Sequence, residues 1–217
     1  MIENKELKTR IVDISYKHGL SHLGSNLTAV DIINEIYESK EPVCWKPSWD
    51  QKFVLSSGHA GLALYVVLEK QGFGDAEEMF LKHGVHPNAD TASGIYVSTG
   101  SLGQGLPIAV GLALAKREKD VYCLISDGEC AEGSIWESLR VAHEQRLYNL
   151  KIYLNANGWG AYEKISSAKL EKRIEAFGFP VQIRHTRVDE LPFLKGQAAH
   201  YQTMSEDDYR CAKEILK

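Results

Sequence analysis

CLISDGECAEGSIWE, residues 123–137, changes character twice within a few positions. An apolar run ends at Ser126, the turn pair Asp127–Gly128 follows, two glutamates come next, and only then does helical spacing begin. Asp and Gly are ordinary turn residues, and Glu suits a helix start, where it meets the positive end of the macrodipole. An acid at the carboxyl end of a buried strand is also where an open parallel sheet holds its ligands. The flanking sequence decides between the two.

Working outward, DVYCLIS (120–126) and NLKIYLNAN (149–157) are the clearest strands, with the helix SIWESLRVAHEQRL (134–147) between them. A strand, a helix and a strand joined this closely form a crossover unit with adjacent parallel strands, so the expected fold is α/β with an open, mostly parallel sheet flanked by helices. Upstream, the spacing of Leu7, Ile11, Ile14 and Tyr16 predicts a helix over residues 4–17. A loop, HGLSHLGSN, precedes a helix expected from about Thr28, with Val30, Ile33, Ile36 and Tyr37 on one side. KFVLSSGHAG reads as a short buried strand before the helix LALYVVLEKQ, and GIYVSTGSLGQG as a second strand and tight turn before the helix LPIAVGLALAKREK.

In this arrangement Asp127 and Gly128 end one strand, while Asn155, Asn157 and Gly158 end its neighbour. An acid and an amide from adjoining strand tips supply hard oxygen ligands, which suit Mg2+ or Ca2+ better than a transition metal. Magnesium usually keeps positions for phosphate oxygens, so a phosphorylated ligand is implied, and Gly128 lets the main chain approach it closely.

The totals limit the alternatives. The 217 residues are 44% hydrophobic and 25% charged, as in an ordinary globular protein, and are expected to form a single domain over 1–217. Lys plus Arg is 25 against Asp plus Glu 29, a formal charge of −4 that gives no reason to expect nucleic acid or an anionic membrane as partner. The N-terminus lacks the uninterrupted apolar core of a signal peptide, and no stretch approaches a membrane span. Cys44, Cys123, Cys130 and Cys211 form no C-x-x-C pair; they are expected to be reduced thiols of a cytoplasmic protein, with Cys123 buried in a strand.

Five phrases in one order carry a resemblance. SHLGS resembles the H-P-G segment of transketolases, SSGHAGLALY their S-x-G-H-G segment, HGVHPN their G-H-P segment, and STGSLGQGLPIAVGLALA their T-T-G-P-L-G-Q-G-x-x-x-A-V-G-x-A phrase. The fifth is similar to the thiamine diphosphate motif, which begins G-D-G and ends some thirty residues later in asparagine; here Ser126 replaces the first glycine, and Asn157 stands thirty positions after Asp127. Over roughly residues 10–178 the chain resembles the N-terminal, thiamine-diphosphate-binding part of transketolase.

That resemblance implies a set of roles. Asp127, Asn157 and the main-chain carbonyl of Trp159 would hold Mg2+ against the diphosphate, with Asn155 as the rival ligand. Gly128 and His59 would contact the diphosphate, and Gly100 and Leu102 would line the aminopyrimidine. His22 and His86 would face the donor and acceptor sugars, with His83 close enough to His86 to compete for the role. His200, in AAHYQ, corresponds to a further family histidine on the diphosphate. Glu132 matches a glutamate near the subunit interface, directed toward the acid that activates the cofactor; Glu129 has no counterpart and is expected to be only a helix-start residue. His18, His143 and His185 match nothing and are expected on the surface or in packing.

Transketolases continue into a pyrimidine-binding domain, which supplies the activating carboxylate, and a third domain. Neither fits in this chain, so the resemblance implies a separate companion chain of about 300 residues and a symmetric assembly with two copies of each chain. The closing stretch SEDDYRCAKEILK resembles the last helix of the family's first domain. After EKRIEAFGFPVQIRH, about thirty residues of the family pattern are missing, roughly one strand and its helix. The sheet would lose an edge strand, leaving an edge for the companion to cover. The implied activity is transfer of a two-carbon ketol unit from a ketose to an aldose. The alternatives are a thiamine-dependent oxo-acid decarboxylase or dehydrogenase subunit, against which the glycine-rich phrase and the histidines argue, and a non-catalytic scaffold that keeps the fold.

Overall fold

The computed structural model describes residues 2–39, 52–160 and 163–217; the expectation for Cys44 lies outside them. Elements follow in the order α1 (Lys5–His18), α2 (Leu23–Glu38), β1 (Lys52–Leu55), α3 (Gly61–Lys70), α4 (Ala76–His83), α5 (Gly105–Ala115), β2 (Val121–Ser126), α6 (Gly133–Glu144), β3 (Leu150–Ala156), α7 (Ser167–Ala176), β4 (Val181–His185) and α8 (Glu206–Leu216). Among the described residues the strands form one sheet in the order β1-β2-β3-β4, with every pairing parallel.

Side chains alternate across a strand, and both faces of this sheet are covered. Val121, Cys123 and Ile125 of β2 pack with Leu106 and Ala109 of α5, Ile135 and Leu139 of α6, and Leu170 and Ile174 of α7. Tyr122 and Leu124 face the other way, into a core built from α1, α2 and α3. β2 is therefore buried along its whole length, which is why it reads as a continuous apolar run. Cys123 is fully enclosed, as expected. α8 begins with a reciprocal Ser205–Asp208 capping box and lies on α1, where Tyr209 stacks on Tyr16 at 4.2 Å.

Three expectations need correction. α2 starts at Leu23 rather than near Thr28. Gly24, Ser25 and Asn26 are weak helix formers, but packing holds them: Gly24 lies against Ala199, where an added Cβ would come within 3.0 Å, and the Asn26 amide oxygen accepts the Ala63 N–H in the first turn of α3 at 2.9 Å. The strand expected in GIYV does not form. Ile95 makes a single antiparallel bridge to Asp90, and the segment is tied instead by the Thr99 hydroxyl, which donates to the Leu55 carbonyl at 2.7 Å. α5 stops at Ala115, so KREK lies outside the helix.

Among the described residues β4 is one of the two edge strands of the sheet, and after it the chain makes short 3-10 turns at Val188–Glu190 and Gly196–His200 before α8. The second turn sits at the start of α2, where the His22 N–H donates to the His200 carbonyl at 2.8 Å. This connection brings His200 to the pocket at the carboxyl ends of the strands.

Candidate active site

The register places Ser126 opposite Asn155, so the turns leaving β2 and β3 lie side by side. Asp127 is 1% exposed. One carboxylate oxygen accepts the Gly128 N–H at 3.0 Å and the other accepts the Gly158 N–H at 2.6 Å. Gly158 has φ +83°, a conformation that side chains disfavour, and that turn aims its N–H back at β2. Asn157 Oδ1 accepts the Trp159 N–H at 2.9 Å. Burial raises the Asp127 pKa to about 6 despite the opposing main-chain hydrogen bonds. An enclosed carboxylate held this way is stabilised by a cation.

A wall of histidines faces this acid. His22 precedes α2 in a left-handed conformation (φ 62°), and its ring lines the pocket. His59 lies in the 3-10 turn after β1, and the two ring centroids are 5.2 Å apart. His200 Nδ1 lies 2.6 Å from Ser25 Oγ. The second nitrogen of His200, Nε2, and the Nδ1 of His22 are buried without a partner. Burial, reinforced by the neighbouring His22, His200 and His86, lowers the His59 pKa to about 3; burial and His22 lower that of His200 to about 4. Burial and then His86 lower that of His22. At neutral pH His22, His59 and His200 therefore act as uncharged donors and acceptors.

Gly58 and Gly100 close the third side. A Cβ on Gly58 would lie 2.7 Å from the Gly100 nitrogen and the Thr99 carbonyl carbon, so the loops after β1 and before α5 touch backbone to backbone. Together the walls enclose a pocket of about 210 Å3, lined by His22, His59, His86, Gly100, Leu102, Asp127, Gly128, Asn157, Trp159 and His200. Ser126, Gly160 and Tyr201 complete the lining; among these only Ser126 drew notice in the sequence, as a departure from the G-D-G pattern.

The two rival candidates are turned away. Asn155 donates to Thr28 Oγ1 at 3.0 Å and accepts from Thr186 Oγ1 at 2.5 Å, leaving its side chain outside the pocket. His83 packs near Tyr65 and lies 3.4 Å from Asp90. Glu132 is exposed at the N-terminus of α6, beside Gly103, and does not line the pocket. Nor do His18, which pairs with Glu77, His143, which meets the Gly178 carbonyl, and His185, beside Glu171.

Glu129 corrects the expectation of a mere helix-start residue. It is 0% exposed, and its carboxylate accepts from the Ser56 hydroxyl at 2.6 Å, the Gly103 N–H at 2.9 Å and the Ser126 N–H at 3.0 Å. Burial raises its pKa, and these hydrogen bonds oppose the rise. Ser126 is only three residues away, but Ser56 and Gly103 come from distant segments, so nothing in the sequence around Glu129 marks the role.

The family model described as transketolase, thiamine diphosphate binding domain, matches residues 4–199. The chain belongs to the transketolase family. It is 33% identical over 198 residues to an apulose-4-phosphate transketolase subunit from Phocaeicola vulgatus, covering 83% of this chain and 70% of that one. It is 33% identical over 204 residues to the 6-deoxy-6-sulfo-D-fructose transketolase subunit SqwG of Clostridium sp. strain MSTE9, covering 86% and 74%. The human transketolase is 37% identical over 186 residues, a match that spans 77% of this chain but 29% of the human enzyme. In fold, a mutant transketolase from Pichia stipitis superposes with a TM-score of 0.82 at 21% identity, covering 98% of this chain and 40% of that one. The α/β, transketolase N-terminal architecture expected from the sequence is thus borne out, and with it the reading as an N-terminal subunit of a transketolase-type transferase.

Proposed function

We propose that this chain is the diphosphate-binding subunit of a two-chain, thiamine-diphosphate-dependent transketolase that moves a two-carbon ketol unit from a ketose, free or phosphorylated, to an aldose. One observation carries the reading: the residues marked by five separate sequence phrases line a single pocket at the carboxyl ends of β1, β2 and β3.

The residues present suit the cofactor. Asp127, the Asn157 amide and the Trp159 carbonyl form a hard oxygen set of the kind Mg2+ takes, or Ca2+ in its place, while leaving positions for phosphate oxygens. Gly128, His59 and His200 meet the diphosphate, and the partnerless nitrogen of His200 is a ready donor for it. Gly100 and Leu102 give the aminopyrimidine a flat apolar wall. Bound thiamine diphosphate supplies a carbon centre that accepts and releases the ketol fragment. His22 and His86, both lining the pocket, orient sugar hydroxyls and hold or pass protons, His22 as a neutral imidazole. Glu132, exposed beside Gly103, faces a companion chain that carries the pyrimidine-binding domain and the activating acid.

Support for the companion comes from the relatives that are themselves named as subunits. We place the pair in a heterotetramer with two copies of each chain. Among the described residues no helix is long and apolar enough to cross a membrane; the buried free thiols of Cys123 and Cys130 fit a reducing cytoplasm.

The test is reconstitution. Chain and companion together should transfer a ketol unit from at least one ketose donor, dependent on thiamine diphosphate and Mg2+, and neither should do so alone. Calorimetry that detects no Mg2+-dependent binding of thiamine diphosphate, with or without the companion, would leave the scaffold reading standing instead.

A further inference from the structure

The three hydrogen bonds to Glu129 reach three different walls of the pocket. Ser56 leads directly into the turn that presents His59; Gly103 closes the loop that presents Gly100 and Leu102; Ser126 precedes Asp127 and Gly128. The Gly103 peptide is gripped on both sides, since its carbonyl accepts from Ser134 Oγ at 2.9 Å while its N–H goes to Glu129. Gly103 has φ +77°, and a Cβ there would lie 2.6 Å from Ser134 Oγ, so this loop has little freedom to drift except by losing those bonds.

We propose that Glu129 is a positioning residue for thiamine diphosphate, its buried carboxylate fixing the mutual spacing of the three loops that meet the cofactor. The inference rests on the site reading above and adds a residue that does not itself line the pocket. The chemistry demands a carboxylate rather than an amide. Glu129 receives three donors and offers none, and two of the donors are main-chain N–H groups that cannot rotate. Glutamine has the same shape but would set an N–H against the N–H of either Gly103 or Ser126, leaving a buried donor unsatisfied. The Ser56 hydroxyl can turn to accept instead; the two amides cannot. An isosteric change should therefore spread the loops without emptying the core.

The experiment uses the full chain with its companion, titrated calorimetrically with thiamine diphosphate in excess Mg2+, together with urea unfolding of the cofactor-free chain. E129Q should weaken cofactor binding by roughly tenfold or more, while kcat at saturating cofactor falls by a smaller factor and the far-ultraviolet circular dichroism is unchanged. S56A removes one of the three struts and should weaken binding by about threefold. If E129Q unfolds less cooperatively or at lower urea yet binds within twofold of wild type, Glu129 is only a core group and the proposal is overturned. Should E129Q fail to fold, S56A decides, and wild-type affinity in that variant overturns the proposal equally. A wild-type chain that binds no thiamine diphosphate at all overturns the site reading first, and this inference with it.

Discussion

The Asp127 carboxylate and the Gly158 N–H meet at 2.6 Å across thirty-one positions of sequence. That single bond ties the turn after β2 to the turn after β3 and brings Asn157 and Trp159 alongside the acid. If the clasp is a cation site, ligand should stabilise it by mass action. At a free cofactor concentration one hundred times Kd, with Mg2+ present, the gain is about 2.7 kcal/mol, or roughly 5–10 °C in Tm for a chain of this size. D127N should abolish that rise. Differential scanning fluorimetry of both proteins, with and without Mg2+ and thiamine diphosphate, checks it, and an equal rise in D127N would remove Asp127 from the site.

Two asparagines separated by one residue should fail in opposite ways. Asn155 is 4% exposed and bonded to Thr28 and Thr186. N155A removes the two hydrogen bonds of a buried amide, to Thr28 and Thr186, and should cost about 1–3 kcal/mol of stability, read by urea unfolding. N157A, at the pocket, should leave unfolding within about 0.5 kcal/mol of wild type while sharply weakening Mg2+-dependent cofactor binding. The reverse pattern would mean that the rival ligand is the right one.

Much of this site was legible because its signals are local. The strand-turn-helix at 121–144 follows from an apolar run, an Asp-Gly pair and helical spacing, all within one stretch. What the sequence could not decide was where side chains point at a strand tip: Asn155 and Asn157 have the same chemistry, and only the partners Thr28 and Thr186, brought by α2 and the segment after β4, separate them. The early start of α2 was hidden for a related reason. Gly24, Ser25 and Asn26 disfavour a helix by themselves, and it is Ala199 and the Ala63 amide that hold them. In GIYV the β-branched and aromatic residues suggest a strand, yet Ile95 is spent in packing and Thr99 anchors to Leu55 through its side chain.

Gly58 and Gly100 should tolerate no side chain between them. G58A would place a methyl 2.7 Å from the Gly100 nitrogen, and the obstacle is backbone, which yields less readily than a side chain. We expect about 1–3 kcal/mol of destabilisation together with loss of cofactor affinity as the His59 turn moves off the Gly100 loop. Urea unfolding and calorimetry on one preparation measure both; unchanged stability would show that the loops do not meet as described.

The histidines make acid sensitivity of the cofactor-free chain a test of the pocket itself. His59 titrates near 6.5 when unfolded and at about 3 in the folded chain, because burial and the neighbouring His22, His200 and His86 disfavour its charge. Between those values the unfolded state binds more protons, so stability is present at neutral pH and falls as pH drops below about 6.5. From pH 7 to pH 5 one such histidine removes about 2 kcal/mol. His200, lowered to about 4, acts in the same direction. Asp127 acts against them: its folded pKa of about 6 lies above the unfolded value near 3.9, so the folded state gains a proton first and recovers roughly 1 kcal/mol over the same interval. The net result should be a wild-type chain less stable at pH 5 than at pH 7. H59Q, which has no proton to take up, should lose about 2 kcal/mol less across that interval, measured by urea unfolding at both pH values without Mg2+. An identical pH dependence in wild type and H59Q would mean that His59 is not held neutral among its neighbours, and the histidine wall would lose its chemical basis.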